Sequence, residues 1–109
     1  MTVKTAIKCL PSLKALAKAK TNKQRKLILD HANKCIYSVI AEIARETLKG
    51  TFDLSEQRKN KLKPYKKHIR ALARKSNPTT KKKIINQQGG FLPGLLVPAI
   101  TLLANLAAR

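Results

Sequence analysis

Acidic residues are scarce in this sequence. It contains 5 Asp plus Glu against 24 Lys plus Arg in 109 residues, a formal net charge of +19. All five acids lie between residues 30 and 56, so residues 1–29 and 57–83 carry basic residues and no acid. A charge of this size repels itself in a compact chain. It favours a polyanionic partner, with nucleic acid first and an anionic membrane second.

Residues that carry catalysis or hold metals are also few. Cys9 and Cys35 are too few for a disulfide framework or a zinc motif, and their apolar helical positions indicate buried thiols in a reducing compartment. His31 and His68 each stand alone, with no partnered base nearby in the sequence. The glycine pair precedes Phe91 rather than Lys and Ser or Thr, unlike a phosphate loop. We therefore expect no enzymatic activity, no cofactor and no metal.

Signal-peptide and strand patterns are missing as well. Lysines interrupt the first twenty residues every few positions, so the long apolar core of a signal peptide is lacking, and we expect a protein kept in the cytosol or nucleus. No segment alternates with a period of two for long. Helical spacing is present instead. It predicts an all-α fold, namely a small bundle of three to four helices with a basic connector and an apolar C-terminal helical tail.

The first helices are bounded by clear start and stop signals. Pro11 suits a first turn, which predicts a helix over residues 11–20. Thr21 or Asn22 is then expected to cap a long second helix with an amphipathic stripe. Gly50 is expected to end that helix.

Shorter helices are expected after Gly50. One begins at Asp53 or Ser55 and ends before Pro64, and another runs from Pro64 to about Lys75. A last helical stretch ends at Gly89. The predicted organisation is a basic helical domain over residues 1–76, a basic connector over 77–90 and an apolar tail over 91–109.

Basic residues are densest in residues 58–75 and in the lysine triplet at 81–83. A helix here would project five cations from one side while Ile69, Leu72 and Ala73 pack inward, and such a face can track phosphates. The five are Lys63, Lys66, Lys67, Arg70 and Arg74. Lysine acts as a point charge, and the four aromatic residues are too few and scattered for a base-stacking platform, so sequence-indifferent binding is expected. A merely solvated face and a nuclear localisation signal remain alternatives. The expected nucleic-acid-binding residues are Lys59, Lys61, Lys63, Lys66, Lys67, Arg70, Arg74, Lys75, Lys81, Lys82 and Lys83.

The tail is uncharged from residue 91 to residue 108. As a helix it would span about 27 Å, just short of a hydrocarbon core of about 30 Å, and its prolines, glycine and polar residues oppose insertion. Three roles stay open: packing on the helical domain as core, contact with a membrane, or docking into a partner's groove. The side chains expected to meet a membrane or a partner are Phe91, Leu92, Leu95, Leu96, Val97, Ile100, Leu102, Leu103 and Leu106.

The border of the tail, GGFLPGLLVPAITLLANLAA, resembles the C-terminal part of the adenovirus core protein precursor pre-mu, or protein X. There too a basic, DNA-condensing region precedes Gly-Gly, a large apolar residue, Leu-Pro and a second apolar run with proline. The resemblance covers about residues 88–108, a fifth of the chain. The whole layout is also similar to small proteins of adenovirus-like mobile elements, the Polinton/Maverick and adintovirus group.

The resemblance implies a maturation site. Adenovirus-type cysteine proteases cut after Gly-Gly, because the residues before the cut occupy a channel too narrow for side chains. Carried over, the cut would follow Gly89 and Gly90 and precede Phe91, although Gln87 stands where a large apolar residue is typical. From the residues alone, the glycine pair indicates a helix stop and a hinge.

Charge and resemblance together lead to one expected function. It is a non-enzymatic minor core or virion protein that binds and condenses double-stranded DNA without sequence specificity, in the virion core and in the host nucleus during assembly. The expected partners are double-stranded DNA, capsid or other core proteins, an adenovirus-type cysteine protease, and a membrane touched transiently by the tail. The alternatives are a membrane-active virion protein acting through the tail and a module that binds a capsid or partner protein.

Overall fold

The computed structural model describes residues 3–32, 35–52, 54–74 and 78–107, and these residues are helical with no strand. The all-α prediction is confirmed, although the described residues form more helices than the three to four expected. The helices are α1 (Val3–Lys8), α2 (Leu10–Lys18), α3 (Asn22–His31), α4 (Cys35–Leu48), α5 (Glu56–Leu62), α6 (Lys66–Ala73), α7 (Pro78–Gln88) and α8 (Leu92–Ala107). Two 3-10 helices, Lys63–Tyr65 and Gly89–Phe91, join α5 to α6 and α7 to α8.

Two of the predicted N-terminal caps form hydrogen bonds. The hydroxyl of Thr21 accepts from the backbone N–H of Gln24 at 3.1 Å and starts α3. The hydroxyl of Ser55 accepts from the N–H of Arg58 at 3.3 Å and starts α5. Each bond satisfies an amide that the first turn of a helix leaves without a partner. The other candidate for the second cap, Asp53, lies outside the described residues.

Gly50 ends α4 as predicted. Its φ of +79° lies in the left-handed region, which glycine adopts without a steric penalty. The N–H of Gly50 donates to the carbonyl of Thr47 at 3.1 Å, and the N–H of Thr51 donates to the carbonyl of Glu46 at 3.0 Å. These two bonds form a Schellman motif, which satisfies carbonyls at the end of the helix.

The long second helix that the sequence predicts is two helices. The chain leaves the helical conformation at Ala32, whose ψ is 153°, so α3 ends at His31 and α4 begins at Cys35. The two halves bury their apolar sides against largely different neighbours: α3 packs on α2 and α7, whereas α4 packs on α6 and α8 and makes smaller contacts with α1 and α7. A continuous apolar stripe in the sequence therefore does not require a continuous helix.

The apolar tail lies in the centre of the molecule. Helix α8 packs most extensively against α2 and also contacts α1, α4 and α5. Leu92, Leu95 and Leu96 are at most 1% exposed and belong to the same core cluster as Leu13 and Ile40. Of the three roles left open for the tail, packing as core is the one observed. The predicted division into domain, connector and tail follows composition, and a single core crosses its boundaries.

The sequence of α8 contains residues that weaken helices, and packing accounts for them. Pro98 lies inside the helix and has no N–H to donate to the preceding turn. A Cβ on Gly94 would lie 3.3 Å from Cδ2 of Leu62, so glycine lets α5 approach α8 closely. No helix within the described ranges is long and apolar enough to cross a membrane.

Candidate nucleic-acid interface

The densest group of cations is presented by α5, the 3-10 helix at Lys63–Tyr65, and α6. Leu62, Ile69 and Leu72 fix this segment to the core, because each is at most 6% exposed. In α6, Lys66, Lys67 and Arg70 fall within about 100° of the helix circumference, at 3.6 residues per turn, and the buried residues lie on the other side. Burial of the apolar side therefore turns the cations towards solvent.

Seven of the predicted binding residues are exposed on this segment, and we call them together the basic face, although Lys59 and Lys61 point about 200° apart on α5. The side chains of all seven are exposed. They come from a stretch of sixteen positions, so their charges lie close together along the chain. The members of the basic face are Lys59, Lys61, Lys63, Lys66, Lys67, Arg70 and Arg74.

The basic face has little compensating negative charge. Lys59 forms one exposed, loose ion pair with Glu56, with 3.8 Å between Nζ and Oε1. None of the other six members forms an ion pair with an acid in the described part of the chain. Two further acids on α4 pair with cations outside the basic face. Glu42 forms an ion pair with Arg45 at 2.8 Å, and Glu46 forms one with Lys49 at 3.6 Å. The uncompensated charge of the basic face is thus available to an external anion.

Three members of the basic face border one cleft. Lys59, Lys63 and Lys66 line a cavity of about 370 Å³ between α4, α5 and α6, together with Asn60 and with the apolar side chains Leu48, Leu54, Leu62 and Ile69. The three lysines and the asparagine that line this cleft carry donors that suit the negative oxygens of a phosphate. Glu56 also borders the cleft and, beside Lys59, is the acid that a bound phosphate would face.

The three lysines of the triplet at 81–83, also predicted to bind nucleic acid, have different surroundings in the fold. Lys81 is 5% exposed, and its Nζ donates to the backbone carbonyl of Arg74 at 2.9 Å. Lys82 forms an ion pair with Asp30, whereas Lys83 is exposed. Successive residues on a helix point about 100° apart, so three adjacent lysines cannot share one face. Lys75, also predicted to bind, lies outside the described residues.

The burial of Lys81 has a structural cause at the end of α6. The guanidinium of Arg45 donates to the carbonyl of Ala73 at 2.8 Å, next to the carbonyl of Arg74 that Lys81 bonds. Two cations from α4 and α7 thus satisfy carbonyls at the negative end of the α6 dipole. Burial, and secondarily the charge of Arg45, lowers the pKa of Lys81 below its usual range. Lys81 is therefore part of the scaffold that supports the end of α6, and its binding to phosphate stays a prediction.

Asp30 and Lys82 change each other's pKa values in opposite directions. The hydrogen bond with Lys82 lowers the pKa of the Asp30 carboxyl and raises the pKa of the Lys82 ammonium. Both groups therefore stay charged and joined at neutral pH, which ties α3 to α7. Lys82 is less available to nucleic acid than the members of the basic face.

An aromatic cluster forms beside the basic face, although the sequence shows these residues far apart. The rings of Tyr65 and Phe91 stack with centroids 5.3 Å apart, and His68 lies 6.3 Å from Phe91. Phe91 is 3% exposed, whereas Tyr65 and His68 are half-buried. Tyr65 also borders a cavity of about 550 Å³ with Arg58 and Lys61. Spacing along the chain carries no signal for this contact, because it joins α6 and the 3-10 helix before it to the 3-10 helix that precedes α8.

The glycine pair lies in helical backbone. Gly89, Gly90 and Phe91 form the 3-10 helix that leads into α8. Gly90 is exposed, and a Cβ there would meet no atom within 4 Å. The two residues that follow, Phe91 and Leu92, are buried. The pair ends α7, as the helix-stop prediction requires, and the bond after Gly90 is held in place by the core on one side.

The residues predicted to meet a membrane or a partner are mostly internal. Five of them are buried, namely Phe91, Leu92, Leu95, Leu96 and Leu103. Val97 and Ile100 are half-buried, and Leu102 is 48% exposed. Leu106 lies outside the residues whose side chains are described. In this fold, five of these tail residues are occupied by contacts within the chain.

Comparisons with known proteins do not assign this chain to a family. No protein-family model matches it, and no curated protein or solved structure is detectably similar to it. Among the described residues there is no group of three or more His, Cys, Asp or Glu side chains that would hold a metal ion. The charge and geometry of the basic face are therefore the basis for a functional argument.

Proposed function

We propose that this protein binds double-stranded DNA without sequence specificity and condenses it. The observation that carries the proposal is the basic face, with seven exposed cations and one loose ion pair within the described part of the chain. Phosphate groups recur along both strands of a duplex, so cations presented by α5, α6 and the 3-10 helix between them meet a repeating partner of opposite charge. Release of the counterions condensed on DNA then drives binding.

The composition of the basic face favours binding that ignores base sequence. Five of its seven members are lysines, whose ammonium groups act as point charges on phosphate oxygens. Reading of bases relies on the planar donors and acceptors of Arg, Asn and Gln in the major groove. Contacts to phosphate position a protein and carry no sequence information directly.

Condensation also requires contact with a second duplex, and α2 and α3 supply a second group of cations. Five exposed lysines lie on these helices and on the turn between them. The acid in this region, Asp30, is already paired with Lys82. A molecule that binds one duplex through the basic face and another through this group would draw the two together. The second group consists of Lys14, Lys18, Lys20, Lys23 and Lys26.

We place this activity in an adenovirus-like virus or a related mobile element, where the protein would be a minor core component that meets DNA in the nucleus and in the particle. The support is the resemblance of residues 88–108 to the adenovirus pre-mu precursor, joined to a polycationic region. Capsid or core proteins and a Gly-Gly protease would be its protein partners. The burial of Leu92, Leu95 and Leu96 supports a structural role for the tail over a membrane-active one.

The test is binding to short duplexes of unrelated sequence across a salt series. If six to seven members of the basic face each neutralise one phosphate, the slope of log K against log salt is about −5 to −6. Replacing Lys63, Lys66, Lys67 and Arg70 by Gln removes four contacts and makes the slope about 3 to 4 units less negative. Affinities for the unrelated duplexes should stay similar to one another.

The matched control carries the same loss of charge elsewhere. Gln at Lys14, Lys18, Lys23 and Lys26 should change the slope on a short duplex by less than about one unit, while compaction of long DNA, followed by light scattering, weakens. Equal losses of binding from both sets would show that net charge alone acts and would overturn the assignment to the basic face. An absence of binding at low salt would overturn the function itself.

A further inference from the structure

The two cysteines of the chain meet in the fold. Cys9 lies between α1 and α2, and Cys35 is the first residue of α4, 26 positions later. Their sulfur atoms are 2.9 Å apart, and neither residue is in a disulfide. The contact is fixed by the surrounding packing, since α1 packs against α4 and Cys9 is 5% exposed. Two thiols remote in sequence are thus held against each other by the core.

We propose that Cys9 and Cys35 form a redox modification site, a dithiol that a small-molecule disulfide such as oxidised glutathione converts into an internal disulfide. The sulfur atoms of a disulfide are about 2.05 Å apart, so thiols already in contact require only a small local shift. The bond would join the junction of α1 and α2 to the start of α4. This inference does not depend on DNA binding.

The reaction proceeds by two exchanges. The thiolate of Cys35 attacks one sulfur of the oxidant, whose S–S bond breaks, and one glutathione thiolate leaves. Cys9 then gives its proton to solvent and attacks the sulfur of Cys35, which releases the second glutathione thiolate. Two protein thiols are oxidised, and one molecule of oxidant is reduced to two thiols.

The different surroundings of the cysteines set this order. Cys35 is half-buried and the more accessible of the two, so it meets the oxidant first. Burial, and then the neighbouring thiol of Cys35, raises the pKa of Cys9 to about 11. Cys9 therefore stays protonated and unreactive towards solvent oxidants, and it reacts only with a sulfur held beside it.

Closure of the bond would constrain the unfolded chain between residues 9 and 35. That loop contains all of α2 and α3, so a covalent link across it disfavours the unfolded state. In a reducing compartment the dithiol stays open, and in an oxidising one it closes. The same chain would then be more stable outside a reducing cell than inside it.

The experiment treats the reduced full-length protein with oxidised glutathione and follows its intact mass. We expect a loss of about 2 Da, for two hydrogens, with no lasting adduct. Cys9→Ala should retain a glutathione adduct on Cys35, because the second exchange is removed. Cys35→Ala should react many-fold more slowly than Cys9→Ala, because the remaining thiol is buried. The oxidised wild type should melt about 10 °C or more above the reduced form.

Repeating the oxidation in denaturant shows whether the fold brings the two thiols together or whether they meet by diffusion of the chain. Unfolding removes the alignment of the thiols, so closure from the mixed disulfide, expressed per ionised Cys9 thiol, should slow at least tenfold. A persistent adduct on the folded wild type, or disulfide-linked dimers on a non-reducing gel, would overturn the proposal. Equal closure rates per ionised Cys9 thiol in the folded and unfolded states would overturn it as well.

Discussion

Lys81 lies in the interior although it belongs to a run of three lysines. Its ammonium group is tolerated there because it donates to the carbonyl of Arg74 at the end of α6. Lys83, two positions later, is exposed and forms no ion pair within the described residues. A mutation of Lys81 therefore tests a contact inside the fold, whereas a mutation of Lys83 tests an exposed charge.

Replacing Lys81 by Met should weaken the fold and leave DNA binding largely intact. The change removes a buried hydrogen bond to a carbonyl, at a cost of about 1 kcal/mol in the free energy of unfolding. Lys83→Met is the control, and its stability should stay within about 0.5 kcal/mol of the wild type. Urea denaturation measures both values. A salt slope for DNA that changed more in Lys81→Met than in Lys83→Met would return Lys81 to the binding surface.

Two glycines with equal space around them should respond differently to Ala. A Cβ would meet no atom within 4 Å at Gly50 or at Gly90, but only Gly50 has a positive φ, at +79°. Gly50→Ala should therefore cost about 1 to 2 kcal/mol through backbone strain. Gly90→Ala should be neutral or stabilising by up to about 1 kcal/mol, because it restricts the unfolded chain. Thermal melting of the two variants tests this, and equal destabilisation would contradict the backbone argument.

At the scale of helices, α8 contributes buried side chains to contacts with four other helices. Its apolar side chains pack on α1, α2, α4 and α5, so it joins segments from both halves of the chain. Two of its leucines give a sharp contrast, since Leu96 is 0% exposed and Leu102 is 48% exposed. Comparing mutations of these two leucines separates the contribution of core packing to the free energy of unfolding from that of an apolar side chain in itself.

Leu96→Ala should lower the free energy of unfolding by about 2 to 5 kcal/mol, because it leaves a cavity in the core. Leu102→Ala removes the same atoms from a solvent-exposed position and should cost less than about 1 kcal/mol. Chemical denaturation of both variants supplies the comparison. Similar small effects would mean that α8 is not packed as described.

Helix boundaries show how far local signals reach. Thr21, Ser55 and Gly50 act on amides and carbonyls within a few residues, and all three were predicted from the sequence. The break at Ala32 was not predicted, because the apolar stripe continues through it. The neighbours of the two halves are distant in sequence, since α3 packs mainly on α7 and α4 packs on α6 and α8.

At the scale of the whole molecule, a cut after Gly90 would detach α8, whose leucines belong to the core, from the rest of the chain. Phe91 and Leu92 are buried, and a protease that needs an extended substrate has to wait for local or global opening. Cleavage of the native protein by an adenovirus-type protease should therefore be slow and should accelerate at least tenfold in Leu96→Ala, where the open state is more populated. Timed digestion with mass analysis follows the cut. Equal rates in wild type and variant would show that the site opens without disturbing α8.

The fragment that such a cut would leave, residues 1–90, tests whether the other helices fold without α8. Residues 1–90 lack Leu92, Leu95 and Leu96, so the remaining helices lose the surface that they share. We expect circular dichroism to show no cooperative melting for this fragment. A sharp transition near that of the full chain would indicate a domain that folds without the tail.

The sequence by itself determined the positive charge, the helical content and several helix ends of this protein. These properties follow from side-chain chemistry and from contacts within a few residues, and they need no contact with a segment distant in sequence. Only the tertiary structure decided that the tail is core, that Lys81 is internal, and that Cys9 touches Cys35. The physical reason is that an apolar face or a thiol has no preferred neighbour of its own. Its neighbour is whichever distant segment the packing of the whole chain brings to it.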